Sequence, residues 1–130
     1  MRLDYVSLPC TMRDMVTAKR ESLITQMRRG TLEYCVLALL RDQPGYGFDL
    51  VRTLGAADGL ITSEGTIYPL LSRLRRDGLV TTTWNESPSG PPRRYYQLTG
   101  AGQEALELFT SEWDRFTTAV DHLLTQGESP

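Results

Sequence analysis

Residues 63–80 constrain this chain more than any other stretch. Ile67, Leu70, Leu71 and Leu74 recur at i, i+3, i+4 and i+7, the spacing of one apolar helix face. Ser63 or Thr62 is placed to cap its start, and Gly78 is placed to stop it. The chain then passes at once into Leu79-Val80-Thr81-Thr82-Thr83-Trp84-Asn85, a β-branched and aromatic run that reads as a strand. Arg73, Arg75 and Arg76 lie off the apolar positions, and Thr66, Tyr68 and Ser72 add hydrogen-bonding groups suited to phosphates and base edges. The alternative is an ordinary amphipathic helix with a solvated basic face. Pro69 would cost about 3 kcal/mol inside a helix, so the cheaper arrangement starts regular hydrogen bonding near Gly65 or Thr66, or kinks the helix.

The segments before this helix supply a core. Residues 1–17 show no clear period, and residues 18–29 read as a short helix with Leu23, Ile24 and Met27 on one side. Gly30 breaks it. Thr31 is placed to cap an apolar helix from Leu32 to Arg41, in which Leu32, Cys35, Val36, Leu39 and Leu40 give the period. A helix apolar nearly all round is buried, so Cys35 is expected as a plain core thiol. After the turn Asp42-Gln43-Pro44-Gly45, a further helix runs from Tyr46 to Leu54, with Phe48, Leu50, Val51 and Leu54 available to the core. Gly47 marks a tight inter-helix approach.

Downstream of Asn85, residues 86–92 (Glu-Ser-Pro-Ser-Gly-Pro-Pro) read as a loop, and Arg93 to Thr99 as a second strand. The two strands make a hairpin with Arg93 and Arg94 at the loop base. Leu106, Phe109, Trp113, Phe116, Val120 and Leu123 then alternate steps of three and four, an a/d seam on one long helix. Thr99 is placed to cap that helix. Such a seam either packs on its own domain or pairs with a second copy, and the second is the expectation here.

Composition excludes several classes. The chain has 130 residues, one small domain with appendages, and a formal net charge of −2. No apolar run approaches the ~18 residues of a membrane span, the N-terminus lacks the apolar core of a secretory signal, and two cysteines, Cys10 and Cys35, are too few for a disulfide scaffold. A reduced cytoplasmic protein is therefore expected. There is no Cys/His cluster of metal-ligand spacing, no phosphate-binding glycine loop and no legible nucleophile–base pair, so neither an enzyme nor a cofactor is expected. The lone His122 is expected to be solvated. Charge is unevenly spread. Residues 64–97 hold five arginines against Glu64, Asp77 and Glu86, whereas residues 99–130 hold Arg115 against six carboxylates.

The order helix, helix, helix, hairpin, long helix carries a spaced set of motifs. They are Gly30-Thr31-Leu32, Tyr46-Gly47, Gly65 to Leu71, Leu74 with Asp77-Gly78-Leu79, Gly90 with Arg93 to Tyr96, and Leu98-Thr99 with Gly102. On these the chain, from about Gly30 to Leu124, resembles the PadR family of winged-helix transcriptional regulators, in its short-tailed branch with one C-terminal helix. The resemblance implies a mainly α fold with a small β-hairpin (α+β): a winged helix-turn-helix plus a long C-terminal dimerisation helix. It divides the chain into an N-terminal arm or short helix (1–29), a DNA-binding domain (30–99) and a dimerisation helix (100–126). It implies a homodimeric repressor of double-stranded operator DNA, with the third helix in the major groove and the wing along the backbone. The candidate DNA-binding residues are Ser63, Glu64, Gly65, Thr66, Tyr68, Arg73, Arg76, Gly90, Arg93 and Arg94; the alternatives are that Tyr68 packs on the second helix and that Arg93 or Arg94 pairs with Glu86 or Asp77. The dimer interface is expected at Leu106, Phe109, Trp113, Phe116, Val120 and Leu123, and Trp113 with Phe116 is the candidate site for a small planar aromatic effector, the alternative being that these two rings simply fill the dimer core. The Pro91-Pro92 pair and the N-terminal segment depart from the pattern. The alternative is a winged-helix protein-interaction module without specific DNA binding.

Overall fold

A computed structural model describes residues 9–57, 59–60 and 62–126. Its elements are α1 (Cys10–Arg28), α2 (Leu32–Asp42), β1 (Gly45–Tyr46), α3 (Gly47–Ala56), α4 (Glu64–Arg76), β2 (Val80–Ser87), β3 (Gly90–Leu98) and α5 (Gly100–Thr125). The three strands form one antiparallel sheet in the order β1-β3-β2. Helices α2, α3 and α4 close over it. Val36, Leu37, Ile67, Leu71, Leu74 and Val80 are buried at their centre, each contributing on the order of 1.5–3 kcal/mol by leaving water.

The periodic stretches form where their spacing predicts. Helix α4 ends in a Schellman arrangement: the Leu79 N–H donates to the Leu74 carbonyl (3.0 Å) and the Gly78 N–H to the Arg75 carbonyl (3.1 Å), with Gly78 at φ +78°. That sharp stop puts β2 directly beside α4. The Thr99 hydroxyl oxygen accepts from the Gly102 N–H at 3.0 Å and donates to the Gly78 carbonyl at 2.7 Å. One side chain therefore caps α5 and ties it to the end of α4.

Several expectations need correction. Helix α1 starts at Cys10 rather than near residue 18, and it buries no residue, so the side bearing Leu23, Ile24 and Met27 is not a core face. Residues 1–8 lie outside the described residues. Thr31 does not cap α2 with its side chain; its hydroxyl donates to the Met27 and Arg28 carbonyls instead. Ser63 likewise forms no side-chain cap. Tyr46 sits in β1, and Phe48, expected in the core, is exposed on the flank of α3. Pro91 and Pro92 belong to β3 rather than to a loop. They fall opposite Glu86 at a β-bulge between the Asn85–Arg93 and Ser87–Gly90 pairs, where a missing N–H breaks no regular ladder bond.

Pro69 also lies deeper than the cheaper arrangement would have it. The Thr66 and Ile67 N–H groups both donate to the Ser63 carbonyl at 3.0 Å, so α4 is regular from Glu64 and Pro69 is interior. Gly65 and Pro69 share the outward side of α4, where the carbonyl released by the proline meets solvent rather than core.

Candidate nucleic-acid interface

Helix α4 buries Ile67, Leu70, Leu71 and Leu74. At 100° per residue, the opposite side carries Gly65, Pro69, Ser72 and Arg76, all exposed. Ser63, Glu64 and Thr66 at its leading end are exposed as well. The Ser63 hydroxyl is uncommitted to its own helix, and the exposed helix N-terminus is an arrangement favourable to an anion. Arg76 lies 3.8 Å from Asp77 and Arg73 4.0 Å from Glu33. These exposed, long ion pairs are worth little and yield easily to a phosphate.

The wing meets α4 on one flank. Gly47, Phe48, Tyr68, Arg93, Arg94 and Tyr96 line a recess of about 360 Å³. It joins residues nearly 50 positions apart in sequence, from α3, α4 and β3. Gly47 permits this approach: a β-carbon there would stand 2.9 Å from Tyr68 Cε1 and 3.4 Å from Tyr96 Cε2. Tyr68 therefore packs over the start of α3 and still leaves 40% of its surface exposed.

Arg94 is oriented within the wing. Its guanidinium lies over the Trp84 ring, 4.4 Å from the centroid, and Nη1 donates to Thr82 Oγ1 at 2.9 Å. Arg93 is exposed beside it. Neither arginine forms an ion pair among the described residues, so neither is taken by Glu86 or Asp77. Burial pushes the Tyr96 hydroxyl pKa above its ordinary value; Arg94 and Arg75 pull the other way, and Tyr68 adds to the rise. Gly90 is exposed at the wing tip, across the turn from Ser87.

The seam of α5 divides in two. Leu106 is 4% exposed in the protein's own core, and the Phe109 ring stacks on Tyr34 of α2 at 4.1 Å. Both residues pack α5 onto α2, Leu106 buried and Phe109 partly exposed. Beyond them Trp113, Phe116, Val120 and Leu123 are all exposed. Phe109, Trp113 and Phe116 follow one another as stacked rings at 5.4 and 6.4 Å. A recess of about 260 Å³ lies between these rings and the turn Arg29-Gly30-Thr31, with Glu112 at its edge. Cys35 is half-buried in α2, where desolvation raises its pKa. His122 is exposed, with its ring Nε2 3.1 Å from the Gln126 side-chain amide. No helix is long and apolar enough to cross a membrane, and no group of His, Cys, Asp and Glu suits a metal, among the described residues.

Phe48, expected in the core, and Tyr96 and Tyr34 stand outside the expected site residues yet line or flank these recesses. Phe48 was legible in hindsight: Leu50 and Leu54 define the buried side of α3, and position 48 lies off it. Tyr96 faces inward by strand alternation, one residue from the exposed Gln97.

Residues 36–108 match the model of the PadR-like family of transcriptional regulators. A PadR-like transcription factor of Bacteroides fragilis is 44% identical, covering 78% of this chain and 98% of that one with a TM-score of 0.66. A PadR family regulator of Eggerthella lenta is 34% identical, covering 91% and 99% with a TM-score of 0.75. Bacillus subtilis PadR, solved in complex with operator DNA, is 26% identical, covering 62% of this chain and 47% of that one with a TM-score of 0.56.

Proposed function

Because this chain belongs to the PadR-like family of transcriptional regulators, we propose that it is a homodimeric repressor that reads operator DNA with α4. The observation that carries this reading is that Tyr68, on the exposed leading end of α4, meets Arg93 and Arg94 of the wing around one recess. In this reading Ser63, Thr66 and Tyr68 meet base edges, with Glu64 and Gly65 in the same turn. Arg73, Arg76, Arg93 and Arg94 neutralise phosphates, and Gly90 lets the wing tip approach the backbone. Phosphate contacts position the protein and base contacts specify the site.

The dimer forms through the free part of α5, about 39 Å long in full, with Trp113, Phe116, Val120 and Leu123 as its apolar face. Leu106 and Phe109 hold that helix against α2. Residues 1–29 form an arm, 30–99 the DNA-binding unit and 100–126 the dimerisation helix. A planar aromatic effector stacked at Trp113 and Phe116 releases the DNA by changing how the two α5 helices pack. The protein acts in the cytoplasm and catalyses no reaction.

Footprinting of the DNA upstream of its own gene tests the reading. Two protected half-sites about one helical turn, ~34 Å, apart are expected. Protection of a single half-site refutes the dimeric reading, and protection of none leaves the winged helix as a protein-interaction module.

A further inference from the structure

We propose that the end of α1 forms a second phosphate-binding shoulder, on the flank of α4 opposite the wing. The inference rests on α4 being the DNA-reading helix. Thr25, Arg28 and Arg29 of the α1 end, Glu33 of α2, and Thr66 and Arg73 of α4 line a recess of about 300 Å³. Around α4, Tyr68 lies on the wing side of the outward face, and Thr66 and Arg73 lie on the other side, by the 100° step of a helix.

The geometry of a duplex asks for something on both sides. A helix ~10–12 Å across fills a major groove ~12 Å wide, so a phosphate backbone runs along each flank. The wing brings arginines to one flank. The α1 end brings them to the other.

Its parts are held in place. Arg28 Nη1 donates to the Leu60 carbonyl at 2.7 Å, and Nη2 to Thr25 Oγ1 at 3.3 Å. That clamp fixes the end of α1 against the connector leading to α4, and it fixes one positive charge there. Arg29 follows as the exposed C-cap residue, in no ion pair among the described residues. Glu33 is the one carboxylate lining the recess, against three guanidinium groups, and its partner Arg73 is 4.0 Å away. The recess is therefore net positive. Packing does not dictate these residues, since α1 contributes nothing to the core.

The test titrates the full chain against the duplex upstream of its own gene, and against random duplex, between 50 and 200 mM salt. Wild type is compared with Arg29→Ala and Thr25→Glu. Each lost phosphate contact reduces the log–log salt slope by about 0.9, so a dimer loses about 1.8, and the affinity drop over this fourfold salt range shrinks about twelvefold. Operator and random affinities are expected to fall together, because phosphates carry no sequence. Thr25→Glu places a carboxylate beside Arg28 and is expected to weaken both duplexes. Wild-type slope in Arg29→Ala with wild-type affinity in Thr25→Glu overturns the shoulder and leaves the α4 reading intact. Loss of operator preference, or of the dimer in sedimentation, also overturns it, since the α1 end would then act through the fold. A wild type that binds neither duplex sinks the α4 reading and the shoulder with it.

Discussion

Replacing Gly102 by alanine tests how α5 is joined to the wing. A β-carbon at position 102 overlaps the Leu79 carbonyl oxygen and stands 2.6 Å from Leu98 Cδ1 and 3.1 Å from the Leu79 carbonyl carbon. The leucine methyl can rotate aside. The carbonyl cannot, because it accepts from the Thr99 N–H at 3.1 Å, and Thr99 in turn caps α5 and bonds Gly78. The first turn of α5 must lift off the β2–β3 end. Overpacking of this kind costs about 1–3 kcal/mol, and loss of the Leu79–Thr99 bond adds about 1 kcal/mol. The better helix propensity of alanine returns up to about 1 kcal/mol. A net loss of about 2 kcal/mol, at a urea slope of about 2 kcal/mol/M, lowers the unfolding midpoint by about 1 M. Urea titration followed by far-UV circular dichroism, at fixed protomer concentration, measures it. Gly100→Ala, which meets nothing within 4 Å, serves as the control and should leave the midpoint unchanged or higher. An unchanged midpoint in Gly102→Ala would refute the reasoning.

The other predictions concern the site and the thiols. Arg93→Ala with Arg94→Ala should weaken binding to all duplex sequences and flatten the salt slope; unchanged affinity and slope in a salt titration remove the wing from the interface. Flat aromatic compounds should quench tryptophan fluorescence in wild type and not in Trp113→Ala, with the dimer retained in sedimentation; a wild type insensitive to such compounds removes the effector site. Burial raises the Cys35 pKa, so at pH 8 it holds less thiolate than an ordinary thiol, while Cys10 is exposed. Iodoacetamide should therefore modify Cys10 first in the folded protein, and equal rates by mass spectrometry would contradict the burial of Cys35.

What could be read from the sequence follows which residues had a core to face. Helices α2 and α4 announce themselves because Val36, Leu37, Ile67 and Leu71 sit at helical spacing around one core. Helix α1 gave a partial signal only: Leu23 and Met27 are as exposed as Met12 and Met15, so no part of it carries the period of a core face. The seam of α5 was visible as a period, but a period does not name its partner. Leu106 and Phe109 pack on α2, and only the residues from Trp113 onward stay uncovered. Composition misled at Pro91 and Pro92, since prolines suggest a loop unless a bulge spares their missing N–H groups. In the candidate interface, the arginines and the α4 leading end could be read as polar residues off an apolar stripe. The recess itself could not, because it depends on Gly47 admitting Tyr68 against Tyr96 across three elements.

The central claim is that α4 reads sequence while the arginines hold the backbone. Its most direct test is the ratio of affinities for upstream and random duplex at one fixed salt concentration, measured for wild type and for Thr66→Ala with Tyr68→Phe. The account predicts a wild-type ratio of about 10³ or more, which falls at least tenfold in the variant while its affinity for random duplex stays the same. A wild-type ratio near one, or a variant that keeps the full ratio, would contradict it.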